Sequence, residues 1–136
     1  MKNSNTDMNI TTWNTLISAY SVRGDWKTSL QLFNSLKPYN LMPNAVTFTF
    51  LLTAASHSGE VDAALEIYNL MNSVHGVIPD NIHATIVVDA LSRSGKLQEA
   101  VEFIQMNIPQ PSILILIIYF LSWRFECVTT MKHTEN

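Results

Sequence analysis

One pattern recurs three times along this 136-residue chain. Gly24, Gly59 and Gly95 fall 35 and then 36 residues apart. The same two steps connect Ser29, Ala64 and Ala100, then Leu30, Leu65 and Val101, then Phe33, Tyr68 and Ile104. They also connect the pairs Leu16-Ile17, Leu51-Leu52 and Val87-Val88. A period of this length points to one supersecondary unit stacked on copies of itself.

Each copy predicts two helices. Trp13, Leu16, Ile17 and Tyr20 lie at i, i+3, i+4 and i+7, one face of a helix. Gly24 then supplies a stop, because glycine enters the left-handed conformation that ends helices. Asp25 is a fitting cap for the next helix. That helix carries Trp26, Leu30, Phe33 and Lys37 at helical spacing, with Leu36 beside them. Pro43 closes the unit, since proline cannot continue a helix. The second copy runs through Phe48, Leu51, Leu52 and Ala55, turns at His57-Ser58-Gly59, and continues through Val61, Ala64, Leu65, Tyr68 and Met71 to Pro79. The third runs from Ile82 to Arg93, turns at Ser94-Gly95, and continues from Leu97 to about Met106.

A hairpin of two short helices cannot bury its apolar faces alone, so the fold expected is an all-α solenoid. The small residues Ser29, Ala64 and Ala100 let the two helices of a hairpin approach closely. Residues 1–9 read as the end of a preceding unit.

Composition narrows the function. The chain is 47% hydrophobic, enough for a core, but only 14% charged, with a net charge of −3. That balance does not advertise nucleic acid or an anionic membrane through bulk charge. Cys127 is the only cysteine, so no internal disulfide or cysteine-based zinc site forms. The longest apolar run, ILILIIYFL at 113–121, is short of the roughly 20 residues that span a bilayer.

The strings ITTWNTLISAYSVRGDWKTSLQLFNSLKPYNLMPN (10–44), AVTFTFLLTAASHSGEVDAALEIYNLMNSVHGVIPD (45–80) and NIHATIVVDALSRSGKLQEAVEFIQMNIPQPS (81–112) resemble pentatricopeptide repeats. Their lengths of 35, 36 and 32 residues resemble the P, L and S repeats of the plant subfamily with alternating repeat lengths. The competing tetratricopeptide repeat has a 34-residue period and its own Trp-Leu-Gly-Tyr pattern. The 35- and 36-residue steps and the string Trp13-Asn14-Thr15-Leu16-Ile17 argue against it.

Repeats of this kind read about one base of single-stranded RNA per unit with two or three side chains. The resemblance implies that Asn14 with Asn44, Thr49 with Asp80, and Thr85 with Ser112 face successive base edges. It further implies a pyrimidine at the first unit, guanine at the second and an open choice at the third, running 5′ to 3′ along the chain. The chemistry agrees: an amide offers donors and an acceptor, whereas a carboxylate only accepts. Each has an ordinary structural reading as well: Asn14 and Thr49 as solvent-facing helix residues, and Asn44 and Asp80, each following a proline, as turn or cap residues. An aliphatic side chain near each unit's start is implied to sandwich the base. Val46 and Ile82 fit, and Thr11 departs. The alternative is that Val46 and Ile82 begin the core face. Arg93, and His57 when protonated, match the place where a basic residue meets phosphate, and Val22 does not.

No cofactor is implied. A zinc nucleobase deaminase needs H-x-E together with P-C-x-x-C, and the sequence, with a single cysteine, has no P-C-x-x-C. No Gly-x-Ser-x-Gly elbow marks a hydrolase either. The resemblance therefore implies an RNA-binding segment without catalysis of its own, acting in a mitochondrion or chloroplast. Its task would be marking editing sites, with editing-complex proteins or a deaminase in trans, or processing and stabilising transcripts. A protein–protein scaffold built on the same solenoid, or a non-functional fragment, is the competing reading. The tail 113–136 departs from the family pattern. Its apolar run either packs on the last helix pair or leaves a patch that promotes self-association.

Overall fold

The computed structural model describes residues 9–108. Within them lie six α-helices: α1 (Ile10–Ser21), α2 (Trp26–Asn34), α3 (Ala45–Ser58), α4 (Val61–Ser73), α5 (Asn81–Arg93) and α6 (Leu97–Asn107). A single 3-10 turn, Lys37–Tyr39, sits between α2 and α3.

The helix ends follow the residues that mark them. Asp25 caps α2, its carboxylate accepting from the Thr28 N–H at 3.1 Å. Asn9, Asn44 and Asp80 cap α1, α3 and α5 in the same way. Between the helices of each hairpin, Gly24, Gly59 and Gly95 take φ of +73°, +80° and +78°. This region is open to glycine and strained for other residues, which is why glycine recurs there.

The helices form two layers. The first helices α1, α3 and α5 stack side by side. The second helices form the other layer, and α2 and α4 each pack on their own partner and on the first helix of the next hairpin. The core lies between the layers. Phe48, Leu52, Met71, Val87, Leu91 and Ile104 are among its fully buried members. Each such side chain contributes about 1.5–3 kcal/mol by leaving water. Ser29, Ala64 and Ala100 all have 0% exposure, which fits their role where the paired helices come closest.

Two details differ from the sequence-based expectation. Leu16 is 40% exposed, whereas its counterparts Leu51 and Val87 are buried. Leu51 shares a cleft with Trp26, Leu30 and Phe33 of the preceding hairpin, and no hairpin precedes α1 among the described residues. In addition, α2 spans 9 residues against 13 in α4. Pro38 explains this: it has no N–H for the Asn34 carbonyl. The chain tightens into the 3-10 turn and leaves it through Asn40, at φ +57°. Lys37 and Leu36 therefore lie beyond α2, and Leu36 is still buried.

Candidate functional site

The polar residues singled out by the repeat frame gather where one hairpin meets the next. At the first junction Asn44 begins α3. Its Oδ1 accepts from the Thr47 N–H at 3.0 Å, and its own N–H donates to Thr47 Oγ1 at 3.0 Å. This reciprocal capping box satisfies two of the donors that a helix start leaves unpaired. Asn14, on α1, joins the same cluster. Its Nδ2 donates to Asn44 Oδ1 at 3.1 Å, and its Oδ1 accepts from Thr47 Oγ1 at 2.6 Å. Thr47 Oγ1 also lies 3.0 Å from Asn44 Oδ1. A hydroxyl carries one hydrogen, so the shorter contact with Asn14 holds it.

The second junction uses the same plan with different residues. Asp80 begins α5, and its Oδ1 accepts from the N–H groups of Ile82 and His83 at 2.9 and 3.2 Å. The Asp80 N–H meets His83 Nδ1 at 3.1 Å. The other ring nitrogen, Nε2, lies 2.8 Å from the Ala45 carbonyl and 3.2 Å from Thr49 Oγ1. Thr49 donates its hydroxyl to the same Ala45 carbonyl at 3.0 Å. His83 is buried, with Asp80 Oδ1 2.9 Å from its Nδ1 and the Asp80 side chain 57% exposed.

The structure thus brings Asn14 and Asn44 into direct contact, and it links Thr49 to Asp80 through His83. Asn14 is not an ordinary solvent-facing helix residue: it is only 5% exposed, and half of its hydrogen-bonding capacity is spent on Asn44 and Thr47. The group left at the surface is the Nδ2 amide of the exposed Asn44, which makes no hydrogen bond among the described residues. At the second junction all of the Asp80 contacts fall on Oδ1, leaving Oδ2 without a partner among the described residues.

The remaining candidates are placed as follows. Val46 and Ile82 are 49% and 60% exposed, so they do not begin the core face. Each sits two residues past a cap, beside the polar cluster. Thr11 is exposed at the matching place on α1. Thr85 is exposed, with its hydroxyl donated to the Asn81 carbonyl at 2.7 Å. Its expected partner Ser112 lies outside the described residues, as do the segments 1–8 and 113–136. Arg93 is exposed but pairs with Asp89 at 2.8 Å, and the same carboxylate oxygen accepts from Ser56 Oγ at 3.0 Å. That pairing engages the guanidinium through Nε. His57 is exposed and backs onto the Gly24 turn.

Thr47 and His83 escaped the sequence reading. The signal was present, because Thr12, Thr47 and His83 follow the 35- and 36-residue steps three positions after each cap. Asn9 with Thr12 repeats the motif at the start of α1, with Thr12 N donating to Asn9 Oδ1 at 3.0 Å. Behind the second junction, burial raises the Tyr68 hydroxyl above its ordinary pKa, and the Asp80 carboxylate adds to the shift. Among the described residues no three acidic, histidine or cysteine side chains gather as metal ligands, and no helix is long and apolar enough to cross a membrane.

This stack of hairpins, joined by capped polar junctions, defines a helical-repeat protein of the solenoid class. The PPR repeat family matches residues 8–57, and the PPR repeat matches 46–74 and 82–106. The chain belongs to the pentatricopeptide repeat family. It is 39% identical over 106 residues to a mitochondrial pentatricopeptide repeat-containing protein of Arabidopsis thaliana, covering 78% of this chain and 14% of that protein. A chloroplastic relative from the same plant is 38% identical over 98 residues, covering 72% of this chain and 11% of the relative. This chain therefore spans a small part of the length of the relatives it matches. The fold is also that of the pentatricopeptide repeat protein PPR10 from maize, with a TM-score of 0.74 at 18% identity over 92% of this chain and 18% of that one. PPR10 in complex with an 18-nt psaJ RNA element gives a TM-score of 0.67 at 21% identity, over 72% of this chain and 14% of that one.

Proposed function

We propose that this chain binds single-stranded RNA along its row of junctions, about one base per junction, and takes no part in catalysis. The observation that carries this reading is the contrast between the two junctions. The first ends in the donor-bearing amide of Asn44, and the second in the acceptor-only carboxylate of Asp80. Each stands beside an exposed aliphatic side chain, Val46 or Ile82.

Donors at the first junction match the acceptor-bearing edge of a pyrimidine. Acceptors at the second match the N–H groups of guanine and repel an edge made of acceptors. Val46 and Ile82 supply apolar surface for the flat faces of the bases. Thr11, Thr85 and Ser112 complete the row on the same frame, and His57 supplies the nearby positive charge when protonated. Arg93, paired with Asp89 through Nε, supplies a second, and with so few cations base contacts carry most of the affinity.

The organellar names of the relatives support a role in mitochondrial or chloroplast RNA metabolism. That role is recognition of an editing site for a deaminase acting in trans, or processing and stabilisation of a transcript. The repeat lengths favour the subfamily with alternating P, L and S units.

The test is titration of the full chain with short single-stranded RNAs that differ only at the two bases facing these junctions. Pyrimidine-G should bind best. Asp80→Asn should reduce the preference for guanine roughly fivefold or more, the scale of a good paired contact to a base edge. Equal binding of every strand, or of none, would move the scaffold reading to the front.

A further inference from the structure

At both junctions the third residue of the following helix reaches back to the recognition residue of the preceding one. Thr47 reaches Asn14 at 2.6 Å, and His83 reaches Thr49 at 3.2 Å. The sizes are complementary. A long amide on α1 meets a short hydroxyl on α3, and a short hydroxyl on α3 meets a long imidazole on α5. Thr47 and His83 occupy the same repeat position, have 0% and 1% exposure, and also close the capping boxes of their helices.

We propose that His83 is a positioning residue for base selection at the second junction, which it controls by fixing how the Thr49 hydroxyl faces the RNA. This rests on the RNA-binding reading above. The argument begins at the Ala45 carbonyl, which can only accept. His83 Nε2 lies 2.8 Å from it, so Nε2 carries a hydrogen in whichever state the ring adopts. The Thr49 hydroxyl hydrogen goes to that same carbonyl at 3.0 Å. The single Nε2–H is shared between that carbonyl and Thr49 Oγ1 at 3.2 Å, and the hydroxyl's own hydrogen is committed to the carbonyl, so Thr49 Oγ1 has no donor left to offer. It presents a lone pair. Asp80 Oδ2 presents another. The junction is thereby acceptor-only across both side chains, and a base edge with two N–H donors is the one it suits.

Nδ1 plays a separate part. It faces the Asp80 N–H at 3.1 Å and Oδ1 at 2.9 Å, and so serves the helix cap. The two ring nitrogens divide structure from selection, which allows the two to be tested apart. Asparagine at position 83 retains a polar group near the Nδ1 place and loses the reach of Nε2. Glutamine retains a donor near the reach of Nε2.

The experiment uses the full chain and short single strands with guanine or adenine facing the second junction. His83→Asn should lower the guanine preference roughly fivefold or more, the scale of a good paired base contact, and His83→Gln should retain most of it. Thermal unfolding of each variant checks that the fold survives. If His83→Asn does not fold, His83→Thr, which copies the first junction, takes its place with the same expected loss. Unchanged preference in His83→Asn or its substitute, with loss in Asp80→Asn, would overturn the proposal and leave RNA reading intact. Equal loss in the Asn and Gln variants would also overturn it, because capping alone would explain that result. No guanine preference in the parent chain would remove the reading and this inference together.

Discussion

Asn14 and Asn44, 30 residues apart in sequence, meet side chain to side chain at 3.1 Å, and Thr47 closes the group by donating to Asn14 at 2.6 Å. Two hairpins are tied here by polar atoms in a place that water barely reaches. Thr47→Val retains the shape and removes the hydroxyl. It leaves the Asn14 oxygen and the Asn44 N–H without their partners, so it should destabilise the chain by about 1–3 kcal/mol. Chemical denaturation followed by circular dichroism measures this. A change below the experimental error would mean that water replaces the hydroxyl at no cost.

Ser29 presents the opposite case. It has 0% exposure, its counterparts are Ala64 and Ala100, and its hydroxyl has no hydrogen-bond partner. Ser29→Ala removes a desolvated polar group and installs the better helix former. It should stabilise the fold by roughly 1 kcal/mol. A higher unfolding midpoint is the expected observation, and a lower one would show that the hydroxyl holds a buried water.

Asp25 gives the fold a pH dependence. Its hydrogen bonds with Thr28 hold the carboxylate below its usual pKa of 3.8. A group depressed on folding stabilises the native state above its unfolded pKa and loses that contribution as pH falls through the folded value. Asp25→Asn keeps a good cap and removes the titration. The difference in stability between parent and variant should therefore narrow as the solution is acidified below about pH 4. A difference that stays constant down to acid pH would show that Asp25 does not titrate differently in the folded chain.

Two glycine turns should respond alike. A Cβ on Gly24 would lie 3.5 Å from the His57 Cβ, and one on Gly59 would meet nothing within 4 Å. The His57 contact is ordinary van der Waals distance, worth about 0.1–0.2 kcal/mol per atom pair. The positive φ at both places costs an alanine roughly 1–2 kcal/mol. Gly24→Ala and Gly59→Ala should thus destabilise by nearly equal amounts. A much larger loss at Gly24 would reveal tighter packing of that turn against α3.

The helices were legible because their signals are local. Periodic apolar residues, glycine stops and Asp, Asn or Asp-like caps act within a few residues, and the structure places α1 to α6 where those signals fall. The buried small column was legible because close approach of two helices tolerates only small side chains. The shortening of α2 was visible in Pro38 but outweighed by the spacing that runs on to Lys37. The junctions were harder. Asn14 reads as a surface amide until its partner is known, and that partner, Thr47, is 33 residues away. At the matching place the partner becomes His83, so the chemistry persists while the residue type changes. A column conserved in role and not in letter escapes a search for repeated letters.

The capping boxes also determine where such an array can be divided. A cut between Asn44 and Ala45, or between Asp80 and Asn81, falls at the natural end of a repeat in sequence. It severs a cap from its helix and separates Asn14 from Thr47, or Thr49 from His83. A cut at Gly59 falls in a turn with open space around it and leaves both capping boxes whole, but it separates Ala45 and Thr49 from His83. A stretch from one glycine turn to the next therefore keeps each cap with the helix it begins and leaves the first-helix side chain of each junction on the neighbouring stretch. Every junction is built by two hairpins, so neither a glycine turn nor a repeat boundary divides the array without opening one.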